Sequence, residues 1–357
     1  MTWDAHQPYT PPPLPPAIDL KNPAFFELLL KARTELAELN GYSSALPNPL
    51  LLLSPAILKE SVASSEIENI HTTFLDALQN ELFPEPERNA PDKEVLRYRE
   101  AIFWGFEQLQ KLPISTRIIQ GIEAKLLPDS EGEYRRQQNQ IKNIATGEVV
   151  YTPPIAGEIP QLLSNWENFA NQDPEAIDPV LKSAIAHYQF EAVHPFADGN
   201  GRTGRILVVL QLVQDKVLKL PILYVSGYIQ KNRTEYYRLL RRITSHQDWV
   251  PYLQFMLKGF HAQALETKAF VLNIRDLFES FREKIKNALP KIYSGDLIEL
   301  LFSFPVISPV KLGEKMDIHY TTASRHLKAL AEKGYLKNVK LGKYQLFINE
   351  ALVQILK

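Results

Sequence analysis

The sequence predicts a mainly α protein of several domains, on three observations. Apolar residues recur at helical spacing through most of the 357 residues. Ser54-Pro55 and Asp178-Pro179 pair a capping side chain with the proline that tolerates a first helical turn. Convincing strand signal before the tail is confined to one stretch, around Val149-Val150-Tyr151.

Residues 1–23 hold Pro8, Pro11, Pro12, Pro13, Pro15, Pro16 and Pro23, which predicts an extended arm packed on the protein. Residues 24–110 read as helices. Phe25, Leu28, Leu29, Ala32 and Leu36 share one face. Ser54, as N-cap, opens a helix through Ala56, Ile57, Val62 and Ile67, and Val95–Leu109 forms another. Residues 131–154 break the rhythm. Asn143-Ile144-Ala145-Thr146-Gly147 followed by Val149-Val150-Tyr151 reads as a hairpin turning at Thr146-Gly147. Helices resume at 158–170, 178–193, 202–216 and 232–245, then from Trp249 to Ala264. A further helix, 268–289, joins the body to the tail through Phe270, Leu272, Ile274, Leu277, Phe278 and Phe281. In the tail, Asp296–Phe304, Val310–Met316 and Tyr320–Lys333 are short helices. Leu336–Ile348 is a hairpin with Gly342-Lys343 at its turn, and this order is that of a winged helix-turn-helix. The chain therefore divides into a helical region with the arm (1–105), a helical core (106–265), a connecting helix (266–289) and the winged helix (290–357).

Composition narrows the function classes. A net charge of −1 argues against coating nucleic acid or anionic membrane with the whole surface. With no cysteine, disulfides, thiolate metal sites and cysteine nucleophiles are excluded. Met1 to Pro16 has no Lys or Arg and no apolar run, and Ile206–Val213 is too short to span a bilayer. The expectation is a soluble cytoplasmic protein without a membrane partner.

Chemistry concentrates in His194-Pro195-Phe196-Ala197-Asp198-Gly199-Asn200-Gly201-Arg202-Thr203-Gly204-Arg205. The run opens a helix, whose free N–H groups and positive end favour an anion. Gly199, Gly201 and Gly204 let a ligand approach the backbone. Arg202 and Arg205 supply two forks for phosphate oxygens. Asp198 offers a hard oxygen to Mg²⁺, and His194 is a base suited to neutral pH. No Gly-x₄-Gly-Lys-Ser/Thr loop is present. Glu191-x-x-His194, with His187 on the same face, also has the spacing of a helical di-iron ligand. That site would need a second such pair and two further carboxylates, and Pro195 would interrupt the helix just after the ligand. His187 reads better as a core histidine.

The run resembles the signature of the Fic (Fido) family, His-x-Phe-x-Asp/Glu-Gly-Asn-Gly-Arg-x-x-Arg, at every fixed position. The resemblance implies a helical Fic-type core, a β-hairpin flap at 140–154, and protein adenylylation. By resemblance, His194 takes the proton of a target Ser, Thr or Tyr hydroxyl that attacks the α-phosphate of ATP. Asp198 holds Mg²⁺, while Asn200, Gly201 and Arg202 cradle the α- and β-phosphates. Arg205 grips the γ-phosphate, and Gly199, Thr203 and Gly204 complete the ATP-binding run. A phosphorylating branch carries Lys where this chain has Gly201, which favours nucleotidyl transfer. The flap would align a target protein (the chain itself is not excluded), Tyr237 is the candidate to pack on adenine, and a homodimer is left open.

Ser64-Ser65-Glu66-Ile67-Glu68-Asn69 is similar to the family's inhibitory motif, Ser/Thr-x-x-x-Glu-Gly/Asn. Ser64 and Glu68 share a helix face, and Asn69 is placed to cap its end. By resemblance, Glu68 pairs with Arg205 and occupies the γ-phosphate position.

The tail carries ten Lys/Arg against six acids, a balance of +4. Thr321, Thr322, Ser324 and Arg325 open its candidate recognition helix, and Lys340 and Lys343 lie on the wing. DNA and protein contact remain alternatives for 290–357. The competing function is thus a DNA-binding regulator whose core senses a nucleotide.

Overall fold

The computed structural model describes residues 3–143, 146–173 and 177–356. Sixteen α-helices are found among them. They are α1 (Pro23–Ser44), α2 (Pro49–Leu52), α3 (Ser54–Ile67), α4 (Phe74–Asn80), α5 (Ala90–Leu109), α6 (Thr116–Leu126), α7 (Ile159–Ala170) and α8 (Pro179–Val193). They continue with α9 (Asn200–Gln214), α10 (Val225–Lys231), α11 (Arg233–His246), α12 (Trp249–Ala288), α13 (Gly295–Ser303), α14 (Pro309–Met316), α15 (Tyr320–Glu332) and α16 (Glu350–Leu356). The strands are β1 (Ile141–Lys142), β2 (Val149–Tyr151), β3 (Val306–Ile307), β4 (Lys337–Leu341) and β5 (Tyr344–Ile348).

The antiparallel pair α8 and α9 forms the centre. Nearly every residue of each is buried, polar ones included, as expected of a helix enclosed on all sides. Asp178 starts α8 as its side chain accepts from the Val180 N–H, with Pro179 in the first turn. Trp166 on α7 donates to the Ala186 carbonyl, and Ser183 donates to that of Val208, fixing the neighbours of α8 on two sides. The α8–α9 connection is the signature run, so the candidate chemistry falls at one end of this buried pair of helices.

Around this centre, α1 runs beside α12 in the same direction. Gln254 reaches the Ala24 carbonyl near one end, and Lys268 pairs with Glu35 and Glu38 further along. The proline arm is extended and packed as expected. Tyr9 N–H donates to the Thr152 carbonyl, the Thr152 hydroxyl to Ala5, and the Gln189 amide to Pro12. The arm thereby ties the end of β2 to the body.

Strands β1 and β2 pair antiparallel and form the expected hairpin. Ile144 and Ala145 of its turn lie outside the described residues. In the tail, a sheet of order β3-β5-β4 accompanies α13, α14 and α15, the element order expected there. Its two-residue strand β3 is too short to leave an alternation in the sequence. Leu346, Ile348, Val306 and Val353 pack with Leu58 of α3, Leu78 of α4, and Val95 and Leu96 of α5 in a satellite cluster. At the wing, Tyr344 stacks on Phe83 at 4.6 Å, and Lys343 and the Tyr344 hydroxyl both engage Glu87. The tail is therefore docked on the N-terminal helices.

Two expectations are corrected. Ser54 is not the N-cap of α3. Helix α2 runs almost directly into α3, so Leu53 takes that position without a side-chain cap. The helices expected at 249–264 and 268–289 are one 40-residue helix, since Leu265-Glu266-Thr267 contains no breaker. Helices α6, α10 and α16 were not anticipated.

Leu346 is fully buried in the satellite cluster. Leu346→Ala should cost about 2–5 kcal/mol of local packing. Limited proteolysis should then cut first in the tail, and an unchanged digestion pattern would show that the cluster does not hold it.

Candidate active site

The site starts from the way α8 ends. His194 caps it in the left-handed region, at φ 47°, and its N–H returns to the Phe190 carbonyl. A non-glycine residue there needs support from its surroundings. Arg135 provides it by donating from Nε to the His194 carbonyl and from its backbone N–H to the Pro195 carbonyl, while its other guanidinium nitrogens engage the Gln137 and Pro154 carbonyls. One side chain thus ties the loop of the base to both sides of the hairpin. Tyr151 on β2 adds a bond to the Ala192 carbonyl at 2.6 Å. Burial, followed by the Arg135 charge, lowers the His194 pKa to about 4, so its imidazole is neutral near pH 7.

The loop then turns into α9. Gly199, at φ 76°, is the N-cap, and Asn200 closes the turn by bonding both the N–H and the carbonyl of Phe196 at 2.9 Å. The first-turn N–H groups of α9 have no carbonyl within the helix to bond, which leaves an anion site at its N-terminus. Arg202 and Arg205 rise from the same turn, and both side chains are buried. Asp198 is mostly exposed, with one oxygen accepting from the Gly199 N–H at 2.6 Å and the other 3.6 Å from Arg202.

Across this turn lies the end of α3. The Ser64 hydroxyl and carbonyl accept from Arg205 at 2.8 and 3.0 Å, and Glu68 Oε1 accepts from Arg205 Nη2 at 2.8 Å. A Cβ at position 201 would lie 2.5 Å from that same Glu68 oxygen, so glycine there leaves the carboxylate its place above the turn. Asn69 follows in the left-handed region at φ 61° and accepts from Arg233 at 3.0 Å. Burial alone would raise the Glu68 pKa, but the Arg205 charge and hydrogen bond outweigh it and hold the carboxyl below its usual range. The sign follows: the pair is intact above the ordinary carboxylate range and is lost only as pH falls through the lowered value.

Two further carboxyls face Arg205. Glu60 on α3 is fully buried and accepts from the Ser226 N–H at 3.1 Å and from Tyr98 at 3.2 Å. Glu191 on α8 fills the space left by Gly204, where a Cβ would lie 2.3 Å from its Oε1. Burial raises both to about 7. His187, pushed down to about 3 by burial, bonds the Tyr236 hydroxyl at 2.7 Å, as a core histidine does.

The expected residues thus gather at one place: His194, Asp198, Gly199, Gly201, Arg202, Gly204 and Arg205 around the turn, with Ser64, Glu68 and Asn69 facing them. Asn200 and Thr203 are turned inward. The Asn200 side chain is spent on Phe196 and Thr203 is fully buried, so what they can offer a nucleotide is backbone. Tyr237 lies at the rim, 43% exposed, under the Arg233 guanidinium at 5.8 Å. Among the described residues no group of three or more His, Cys, Asp or Glu could hold a metal by itself. Asp198 as a lone hard donor suits magnesium, which keeps several waters and takes its remaining ligands from phosphate oxygens. Arg135, Glu94 and Arg233 were not picked out in the sequence, because each acts across the chain rather than within a motif.

Comparison with known proteins agrees with this geometry. Residues 26–107 match the model "Fic/DOC family N-terminal" and residues 113–212 the model "Fic/DOC family". Residues 277–352 match "Protein adenylyltransferase SoFic-like, C-terminal domain". A protein of Aquifex aeolicus named "Probable protein adenylyltransferase" is 29% identical over 206 residues, covering 57% of this chain and 58% of its own. "Protein adenylyltransferase Fic" of Drosophila grimshawi is 29% identical over 158 residues, 42% of this chain and 29% of its own. The chain therefore spans little more than half of the first relative and under a third of the second. Among solved structures, a Fic family protein of Desulfovibrio desulfuricans shares the fold over 96% of this chain and 98% of its own, with a TM-score of 0.54 and 20% identity. Fic-1 of Caenorhabditis elegans matches over 69% of this chain and 73% of its own, with a TM-score of 0.54 and 21% identity.

The histidine environment has a direct readout. The ring-proton resonances of His194 should show a neutral imidazole at about pH 6, where an ordinary histidine is mostly charged. Its titration should begin only as pH approaches about 4. A midpoint near 6.5 would contradict the environment described.

Proposed function

We infer that this chain, which belongs to the Fic/DOC family, transfers AMP from ATP to a Ser, Thr or Tyr hydroxyl of a protein and is held back by Glu68. One observation carries the reading: a neutral, half-buried histidine and a free helix N-terminus flanked by two arginines meet at a single turn, with a carboxylate lodged where an anion would bind.

Chemistry follows from that placement. His194 takes the proton of the attacking hydroxyl, whose oxygen bonds to the α-phosphorus. The bond from the α-phosphorus to the bridging oxygen breaks, and pyrophosphate leaves with the electron pair. The α9 N–H groups and Arg202 hold the α- and β-phosphates, and Arg205 holds the γ-phosphate once Glu68 has left it. Magnesium, when bound at Asp198, neutralises charge on the phosphates. The β1–β2 hairpin offers an edge along which a target segment aligns by strand addition, close to His194 through Arg135 and Tyr151. Tyr237, at the rim, is placed to cover the base.

With Glu68 in place, ATP cannot put its γ-phosphate on Arg205, and the α-phosphate is not presented to the hydroxyl. Anchoring argues for a local release. The buried Glu60, Ser61, Ser64 and Ser65 tie α3 into the core, so only the end of α3 is free to yield.

A second reading, a DNA-binding regulator, draws support from α15, where Thr321, Arg325 and Lys328 are exposed. It is weakened by the wing, where Lys343 is spent on Glu87 rather than free for a phosphate.

Transfer is tested with ATP labelled at the α- or the γ-phosphate, Mg²⁺ and the Glu68→Gly variant. Protein should take label from the α-phosphate only, at least tenfold more than with Glu68 intact and none with His194→Ala. Label from the γ-phosphate would identify a kinase. Binding of ATP without transfer would favour the regulator.

A further inference from the structure

The two signature arginines are held differently. Arg205 spends Nε and Nη2 on Ser64 and Glu68. Arg202 is 3% exposed, yet its ion pair of hydrogen-bond length goes to a residue of neither motif: Nη1 donates to Glu94 Oε2 at 2.6 Å. Its Nη2 is 3.6 Å from Asp198, and its Nε is buried without a partner. The guanidinium is therefore fixed at one corner and keeps donors in reserve. A cation so far out of water needs a counter-charge, and among the described residues only two carboxylates are in ion-pair range.

We propose that Glu94 is a positioning residue of the nucleotide site: it holds the Arg202 guanidinium so that its unused N–H groups face the polyphosphate. The proposal rests on the reading of this turn as a nucleotide site. Glu94 is 28% exposed and lies on α5, followed by Val95 and Leu96, which are buried against the tail sheet in the satellite cluster. That packing sets where the carboxylate stands. Without Glu94, the remaining ion-pair partner of Arg202 among the described residues is Asp198, four residues earlier in the loop that leads into α9. An Arg202–Asp198 pair would turn the fork from the phosphates and take up the oxygen that a cation needs. Glu94 keeps the two signature charges apart, so that each meets the nucleotide from its own side.

The test uses the full chain carrying Glu68→Gly, alone and with Glu94→Ala or Glu94→Gln. Calorimetry gives the Kd for ATP with Mg²⁺, and label transfer gives KM and kcat separately. Glu94→Ala should raise Kd and KM by about tenfold with kcat within about threefold. Its demand for Mg²⁺ should shift to higher concentration, and the melting temperature should stay that of the parent. Glu94→Gln, which keeps an oxygen acceptor, should recover at least half of the loss. Binding as tight as the parent or tighter in Glu94→Ala would overturn the proposal, since the pair would then be idle or obstructive. An equal loss in both variants with a fall in melting temperature would overturn it too, because packing would then be the cause. If the parent binds ATP but transfers nothing, the transferase reading fails while the binding arm still decides the role of Glu94.

Discussion

A buried guanidinium must be answered by negative charge, and that demand organises this molecule around Arg205. The side chain is almost wholly out of water, and Glu68 is the carboxylate that pairs with it directly. Glu60 and Glu191 face it without pairing, and burial leaves both able to carry a proton near neutral pH. A group that answers Arg205 in place of Glu68 must therefore be an anion able to reach the N-terminal turn of α9. A triphosphate has the charge and the reach. On the proposed reading, the pair that closes the site and the triphosphate that opens it compete for one cation, which makes the contact reversible without asking α3 to leave the core.

The rest of the site is built to keep that turn rigid. His194 is held in a left-handed conformation by Arg135, and Asn200 laces the loop through both polar groups of Phe196. The arm at 3–23 binds Thr152 just beyond the flap. The tail grips α3 and α5, the two helices that deliver Glu68 and Glu94 to the arginines. Contacts far from the chemistry thus converge on the positions of two carboxylates.

Much of this was legible in the sequence because it is local. The signature run keeps its glycines, arginines and histidine within twelve residues, so it announces both a helix start and an anion site. Ser64 and Glu68 share a face at any helical pitch, and Gly334 and Gly342 mark turns with positive φ where the tail needs them. What stayed hidden acts at long range. Arg135 meets His194 across 59 residues, and Glu94 meets Arg202 across 108. No periodicity carries such a pairing, and Glu94 reads in sequence as one more charge on a solvated helix face. Asn200 looked like a phosphate ligand because its side chain can bond one, yet the tight turn claims it first. Ser54 looked like a cap because the short helix before it has too few residues to show a pattern.

The central claim is that Glu68 holds the γ-phosphate place on Arg205. Affinities of ATP and AMP for the intact chain and for Glu68→Gly, measured side by side by calorimetry with Mg²⁺, address it most directly. ATP should bind about tenfold tighter or better once Glu68 is gone, while AMP, which has no γ-phosphate, should bind equally to both. Equal gains for the two nucleotides, or none for either, would contradict the claim.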